Sequence, residues 1–416
     1  MAGENTVSTM SMYKEIYGEG LNDVVPASSV LQDIIPMAED KLGDSYRQSV
    51  VLTGEHGFTY NGSGGAVVTL NAPVQASIVE GNTSGFEMIG ASRITYAAAS
   101  RGQSSKTAFK KTWDTVLLNL KKASSKRLEL TLLAGQDGIA GVTSLSSETA
   151  TLKDPAEYSA AIIAGLEGCV VEVFIDRAAS STEHGATAGS TIDTLSLANG
   201  TLTSTSGGFS GGTAVDADDV IYFNGARTAS AFNEPPGMRK IISNSGTLFG
   251  INSATYNLWA GNTKSSFGTP TMGKFLDGVT TMVERGLDEK VFLLVCPKTW
   301  EVLNADLAAM RKYDGSYSKA KAENGAQSIM YYGQVGEIEV RVHPFLWRGE
   351  AMLFPKSVFK RVGSADLGMG VPGTDGRDVF FHVPSTNAVE ARTFSDQALW
   401  CDAPSRCSLV SGITYP

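Results

Sequence analysis

The chain has 416 residues with 34 basic and 43 acidic side chains, a formal charge of −9, and only 19% of its residues are charged, against about 25% in an ordinary soluble domain. Hydrophobic side chains make up 42% and glycine 45 residues, a composition that excludes intrinsic disorder. No apolar run approaches the ~18 residues of a membrane span, and the opening MAGENTVSTMSMYKEIYGEG has no basic region leading into an apolar core, so no signal peptide is expected.

In chain order, residues 1–45 are irregular, with Pro26 and Pro36 breaking any long helix and apolar residues such as Val24, Leu31 and Ile35 too sparse for a core of their own. An arm that packs on something else is expected. From Ser49 the pattern turns to β. Val50–Leu52 run through Gly57-Phe58-Thr59-Tyr60 to Asn61-Gly62, a hairpin turn signal because both residues accept positive φ. Ala66–Leu70 return toward Val74 and Ile78, and Arg93–Ala97 form a third run. A two-stranded ribbon is marginal alone in water, so this excursion requires an external surface. Phe58, Tyr60, Val67 and Leu70 are the residues of the excursion expected to make contacts between subunits.

Next, Phe109, Trp113, Val116, Leu117 and Leu120 recur at helical spacing, predicting a helix from about Lys106 to Ser125. Lys110, Lys111, Lys121 and Lys122 fall opposite, and residues 106–129 hold seven basic and two acidic side chains within an acidic protein. Arg127 interrupts the apolar stripe. Asp154-Pro155-Ala156-Glu157 has the order of a helix start, as do Thr269-Pro270 and Pro297. Met272, Phe275, Leu276, Val279, Met282 and Val283 form one helical face, and Trp300, Leu303, Leu307 and Met310 another. Val170–Ile175 and Val291–Val295 read as buried strands. Between Ala178 and Ala226 no lysine occurs and arginine is absent apart from the flanks. Hairpin signals at Asn199-Gly200 and Asn224-Gly225 there predict a small β subdomain, about 178–265. Strands at Glu337–His343, Ala351–Arg361, Asp378–His382 and Thr386–Phe394 complete an α+β chain.

Catalytic patterns are missing. Gly62-Ser63-Gly64-Gly65 lacks the lysine and helix of a phosphate loop, and Asp216-Ala217-Asp218-Asp219 lacks the glycine and distal glutamate of a calcium loop. His56, His184, His343 and His382 have no second ligand at helical spacing. His343 and His382 read as structural, His184 as solvent-exposed. Cys169 and Cys296 read as buried thiols, while Cys401 and Cys407 are close enough in sequence to pair. No enzyme activity, cofactor or metal is expected.

The order of parts is more informative. An arm, a β excursion, one long amphipathic helix, an α+β domain with an insertion and a late β return resemble the major capsid protein of tailed bacteriophages, the Hong Kong 97-type fold. Tyr46–Leu52 through Gly54–Gly57 look like the start of its extended loop, Ile94–Arg101 like the return into the spine helix, and Leu132–Gly138 like the turn after it. The resemblance implies an arm at 1–45, an extended loop at 46–105, a peripheral domain at 106–150 and 376–416, and an axial domain at 151–375. It further implies a structural protein of the virion, assembled in the host bacterial cytoplasm. Its partners would be its own copies in hexamers and pentamers, a portal protein, a decoration protein and packaged double-stranded DNA held by weak non-specific contact, with no membrane. The type member cross-links its shell through a loop lysine. Here no lysine occurs between Lys41 and Lys106, which predicts a non-covalent shell. The short stretch before the excursion predicts a separate scaffolding protein and little N-terminal processing. Lys110, Lys111, Lys121 and Lys122 are expected to face DNA or scaffold. Two other classes fit less well: an encapsulin-like compartment of the same fold, and a β-rich adhesin or glycan-binding protein.

Overall fold

A short helix and then a ribbon of two paired strands come first among the described elements. The computed structural model describes residues 28–38, 45–62, 65, 67–101, 112–184, 189–204, 208–209, 218–305, 329–370, 380–383 and 386–416. Helix α1 (Val30–Ile34) precedes strands β1 (Tyr46–Val51) and β2 (Ile78–Thr83), which pair antiparallel from Tyr46↔Thr83 to Val51↔Ile78. Strand β3 (Phe86–Thr95) leads through α2 (Tyr96–Arg101) toward α3 (Thr112–Ala134).

One eight-stranded sheet follows. It contains β4 (Ala140–Leu145), β5 (Thr149–Leu152), β6 (Val170–Phe174), β7 (Glu183–His184), β8 (Ser190–Thr191), β9 (Thr194–Ser196), β10 (Thr201–Thr203) and β11 (Val220–Phe223), with α4 (Ala160–Ile163) between β5 and β6. Beyond it come α5 (Met238–Ile242), the small hairpin β12 (Thr247–Leu248) and β13 (Ile251–Asn252), β14 (Asn262–Lys264) and α6 (Met272–Glu284). The remainder runs β15 (Val291–Val295), α7 (Pro297–Ala305), β16 (Ile329–Gly333), β17 (Gly336–Val342), β18 (Glu350–Pro355), β19 (Phe359–Met369), β20 (Phe380–His382), β21 (Ala388–Cys401) and β22 (Ser408–Ser411).

Those late strands build two further sheets. A six-stranded one has the order β14-β22-β18-β15-β17-β16, and in the other β21 lies between β3 on one side and β19 and β20 on the other. Every residue of β18 is buried, as a strand covered on both faces requires. The apolar face of α6 packs on this six-stranded sheet through Met272, Phe275, Val279 and Met282. The α6 start is capped by Thr271, whose hydroxyl accepts the Lys274 N–H at 3.4 Å. Strand β21, pairing with β3 from Ala388↔Thr95 to Gln397↔Phe86, ties the end of the chain to the base of the ribbon. Where α3 stops, Gly135 faces Gly237 so closely that a Cβ there would lie 2.3 Å from the Pro235 carbonyl oxygen. Only glycine permits that approach.

Several expectations are met: the strands at 170–175 and 291–295, the helices opening at Pro297 and near Thr269, and the hairpin turning at Asn199-Gly200, where β9 and β10 pair and Gly200 has φ +59°. Others need correction. Helix α3 runs on to Ala134, past the expected end near Ser125, because Arg127 and Glu129 are accommodated within the protein. No helix opens at Asp154. Residues 154–157 form a turn instead, because the Glu157 carbonyl is taken by the Gly141 N–H and its carboxylate by Arg177 and Lys153. The strands of the charge-poor segment pair with β4, β5 and β6 rather than with each other alone. Leu307 and Met310 lie outside the described residues.

Candidate assembly surfaces

Past β1 and β2 the ribbon continues without regular strand pairing. Leu52 N–H donates to the Ser77 carbonyl at 2.8 Å and His56 N–H to the Val74 carbonyl at 3.0 Å. Further out, the Thr59 hydroxyl accepts the Asn71 N–H at 2.7 Å, and the Asn71 amide donates to the Phe58 carbonyl at 2.8 Å. The expected strand at 66–70 is absent among the described residues, and positive φ falls on Gly65, at +63°, instead of on Asn61-Gly62. Pro73 removes one ladder donor, and among the described residues no further strand pairs with this part of the ribbon.

Phe58, Tyr60, Leu70 and Val74 all lie on this irregular outer part of the ribbon. All are exposed, Phe58 at 69%, Tyr60 at 92% and Leu70 at 80%, and Val67 near the tip is fully so. Large apolar side chains left this open on one segment are the kind of surface that partners cover. The structure keeps all four expected loop residues on the surface.

The base of the ribbon is held firmly. Trp400 is completely buried, stacks on Phe249 at 4.6 Å and meets Tyr46 of β1 edge-on at 5.3 Å. It also lies so close above Gly81 that a Cβ there would come within 2.7 Å of the ring. Asn82 N–H donates to the Phe249 carbonyl at 2.9 Å, and the Ser77 and Tyr256 hydroxyls meet at 3.0 Å.

On α3, Lys121 and Lys122 are exposed, whereas Lys110 and Lys111 lie outside the described residues. Lys126, one turn on, turns inward and donates to the Ala164 carbonyl at 3.1 Å. Its pKa is lowered by burial, with Arg127 adding to the effect.

Two buried clusters were not expected. Glu129 is fully enclosed, and its carboxylate accepts the N–H groups of Leu31 (2.6 Å) and Gln32 (3.2 Å) at the start of α1, as well as the Gln32 side chain. His343 completes the set at 2.9 Å. Because His343 Nδ1 accepts the Phe345 N–H, its Nε2 carries the proton given to Glu129. The arm is thus pinned to α3 by one carboxylate. In the second cluster Arg239 donates twice to Glu350, each at 2.8 Å, reaches Asp137 at 3.0 Å, and stacks on Trp347 at 4.0 Å. Burial opposes its charge, but the two carboxylates outweigh burial and raise its pKa. The first cluster left only a faint trace in the sequence, Glu129 set between Leu128 and Leu130 just past the Arg127 that interrupts the apolar stripe. The second joins residues up to 213 positions apart and left none.

His184 corrects the solvent-exposed expectation: β7 pairing with β6 brings it inside, 3.0 Å from a fully buried Asp219. His343 is structural as expected, whereas His382 lies near the surface against Tyr96. All four cysteines are free, Cys401 and Cys407 included, and Cys169 is half-buried instead of buried. Among the described residues no group of three or more potential ligands could hold a metal ion, and no helix is long and apolar enough to cross a membrane.

A cleft of about 440 Å³ opens between α3, β3 and the segment around 223–235, lined by Met88, Leu120, Arg127, Phe223 and Glu234 among others.

No protein-family model matches the sequence, and no curated protein matches it. Solved structures do match. The capsid protein of cyanophage A-1(L) aligns over 99% of this chain and 100% of its own with a TM-score of 0.57 at 10% identity. The capsid protein of a native GTA particle aligns over 99% and 100% with a TM-score of 0.51 at 8% identity. At these identities the likeness is one of fold, and the chain has the α+β Hong Kong 97-type capsid fold.

Proposed function

We propose that this protein is the major capsid protein of a tailed bacteriophage, a structural subunit that assembles with its own copies into an icosahedral shell around double-stranded DNA. The observation that carries this reading is the ribbon at 46–83. It is rooted through Tyr46 on the buried Trp400 yet exposes Phe58, Tyr60 and Leu70, on a chain with a capsid fold. A single subunit does not cover these side chains. A second copy related by rotation can, and repetition of one such head-to-tail contact closes a ring. Obligate contacts of this kind bury on the order of 2,000 Å² or more. An encapsulin-like compartment would use the same ribbon. We favour the phage head because the arm pinned by Glu129 and the charge-poor β insertion that begins at 178 go beyond a minimal shell subunit. A β-rich adhesin is disfavoured by the internal helices, α6 with its Thr271 cap among them, and by the shared fold.

In this reading Lys121 and Lys122, with Lys110 and Lys111, contact DNA or scaffold, and scaffolding, portal and decoration proteins are the external partners. The experiment replaces Phe58, Tyr60 and Leu70 together by serine. The expected outcome is a folded subunit with unchanged melting temperature that no longer sediments as large particles. Particle formation at the wild-type level would sink the proposal.

A further inference from the structure

Helix α3 carries Arg127 to the wall of the 440 Å³ cleft, where its guanidinium lies over the Phe223 ring, 3.0 Å from the centroid. Its Nη1 is buried and has no hydrogen-bond partner. Glu234 lines the same cleft. Its carboxylate accepts the Gln136 N–H at 2.8 Å, and its backbone carbonyl accepts the Gln136 side-chain amide at 2.9 Å. Arg127 and Glu234 are both half-buried, and opposite charges withdrawn from water side by side ordinarily pair, because a partly desolvated charge without compensation is costly. Here the arginine rests on an aromatic ring and the glutamate on a backbone amide, with empty volume beside them.

We propose that the cleft is a proton-operated joint between α3 and the 223–235 segment. With Glu234 protonated, Arg127 rests on Phe223. When Glu234 ionises, the guanidinium turns into the cavity and pairs with the carboxylate, exchanging a stacked contact for a charged one. The void supplies the room, and the unpartnered Nη1 supplies the driving force. Because β3, the continuation of the ribbon, forms another wall of the cleft, the exchange alters how the ribbon-bearing sheet seats on the eight-stranded one.

The electrostatics agree with the geometry. Burial pushes the Glu234 carboxyl up to about 7, against partial opposition from the Gln136 N–H and Arg127. Burial likewise brings Arg127 down to about 10, with Cys169 and Glu234 opposing. The other charged groups facing Glu234 are Asp137 from the turn after α3, which raises its pKa, and Arg227 from the segment after β11, which lowers it. Glu87 of β3 also lines the cleft. A carboxyl held above its unfolded value contributes stability that is complete at low pH and is lost as the pH rises through about 7.

The joint belongs to the single subunit, and only its consequence for assembly rests on the shell reading. The test therefore uses unassembled subunits, comparing wild type with Glu234→Gln, which keeps the acceptor and removes the charge. The melting temperatures of variant and wild type should separate by several degrees as the pH rises from about 4.5 to about 7, with little further change up to about pH 8.5. Hydrogen exchange of segment 223–237, corrected for intrinsic rates, should change across the same interval in the wild type and stay constant in the variant. A separation that does not vary with pH, or wild-type exchange that stays constant, overturns the proposal. If Glu234→Gln does not fold, the wild-type exchange alone decides in the same way. Subunits that titrate as described but never form shells would leave the joint standing and remove the capsid reading.

Discussion

Glu129 shows what one buried carboxylate can organise. It receives two backbone N–H groups of α1, the Gln32 amide and the protonated nitrogen of His343. Replacement by alanine leaves those donors enclosed without an acceptor, which costs about 3–5 kcal/mol. Glu129→Ala should therefore lower the urea midpoint of the isolated subunit sharply and free α1 to rapid hydrogen exchange. Retention of α1 protection would show that the arm is held by Leu31 and Ile35 alone. At this scale sequence reading was least informative. The triad formed by Glu129, Gln32 and His343 depends on tertiary proximity, and His184 read as exposed because its strand partner, 11 residues earlier, was invisible as such. What could be read was the anomaly itself, charged residues where the apolar stripe breaks off, although not what they meet.

Elements were more legible than residues wherever periodicity and punctuation agreed. Helix α6 has its apolar face, its proline and its cap in consecutive sequence, and it forms where expected. Thr271→Ala should cost roughly 1 kcal/mol, measured as a drop in melting temperature, since it removes the hydroxyl that accepts the Lys274 N–H. The helix expected at Asp154 carries equally good local signals and fails, because the Glu157 carbonyl is taken by Gly141 of β4 and its carboxylate by Arg177 and Lys153. The ribbon offers the sharpest element-level test. Gly81 lies under Trp400 with no room for a methyl group, so Gly81→Ala must displace the indole or β2. The expected cost is about 1–3 kcal/mol, accompanied by faster proteolysis within 52–77. Unchanged proteolysis would mean that the ribbon is not rooted through this contact.

For the whole molecule, the low charge and excess of small residues acquire a location. The charge-poor regions are the ribbon, whose large apolar side chains are open, and the 178–226 stretch, whose strands complete a sheet begun by β4, β5 and β6. The overall fold could be read from the order of parts, because each part was long enough to show its own period. How the parts share sheets could not, since β21 joins β3 across about three hundred residues. With no lysine between Lys41 and Lys106, shells of this protein should dissociate to single subunits on boiling in detergent. A covalent ladder would refute a purely non-covalent shell. The central claim, that the subunit is completed by its own copies, is tested most directly by electron cryomicroscopy of the protein assembled with its scaffold. Closed icosahedral shells in which the 46–83 ribbon of each subunit lies against a neighbouring copy, covering Phe58, Tyr60 and Leu70, are predicted. Isolated subunits at every concentration, or shells in which those side chains stay open to solvent, would contradict it.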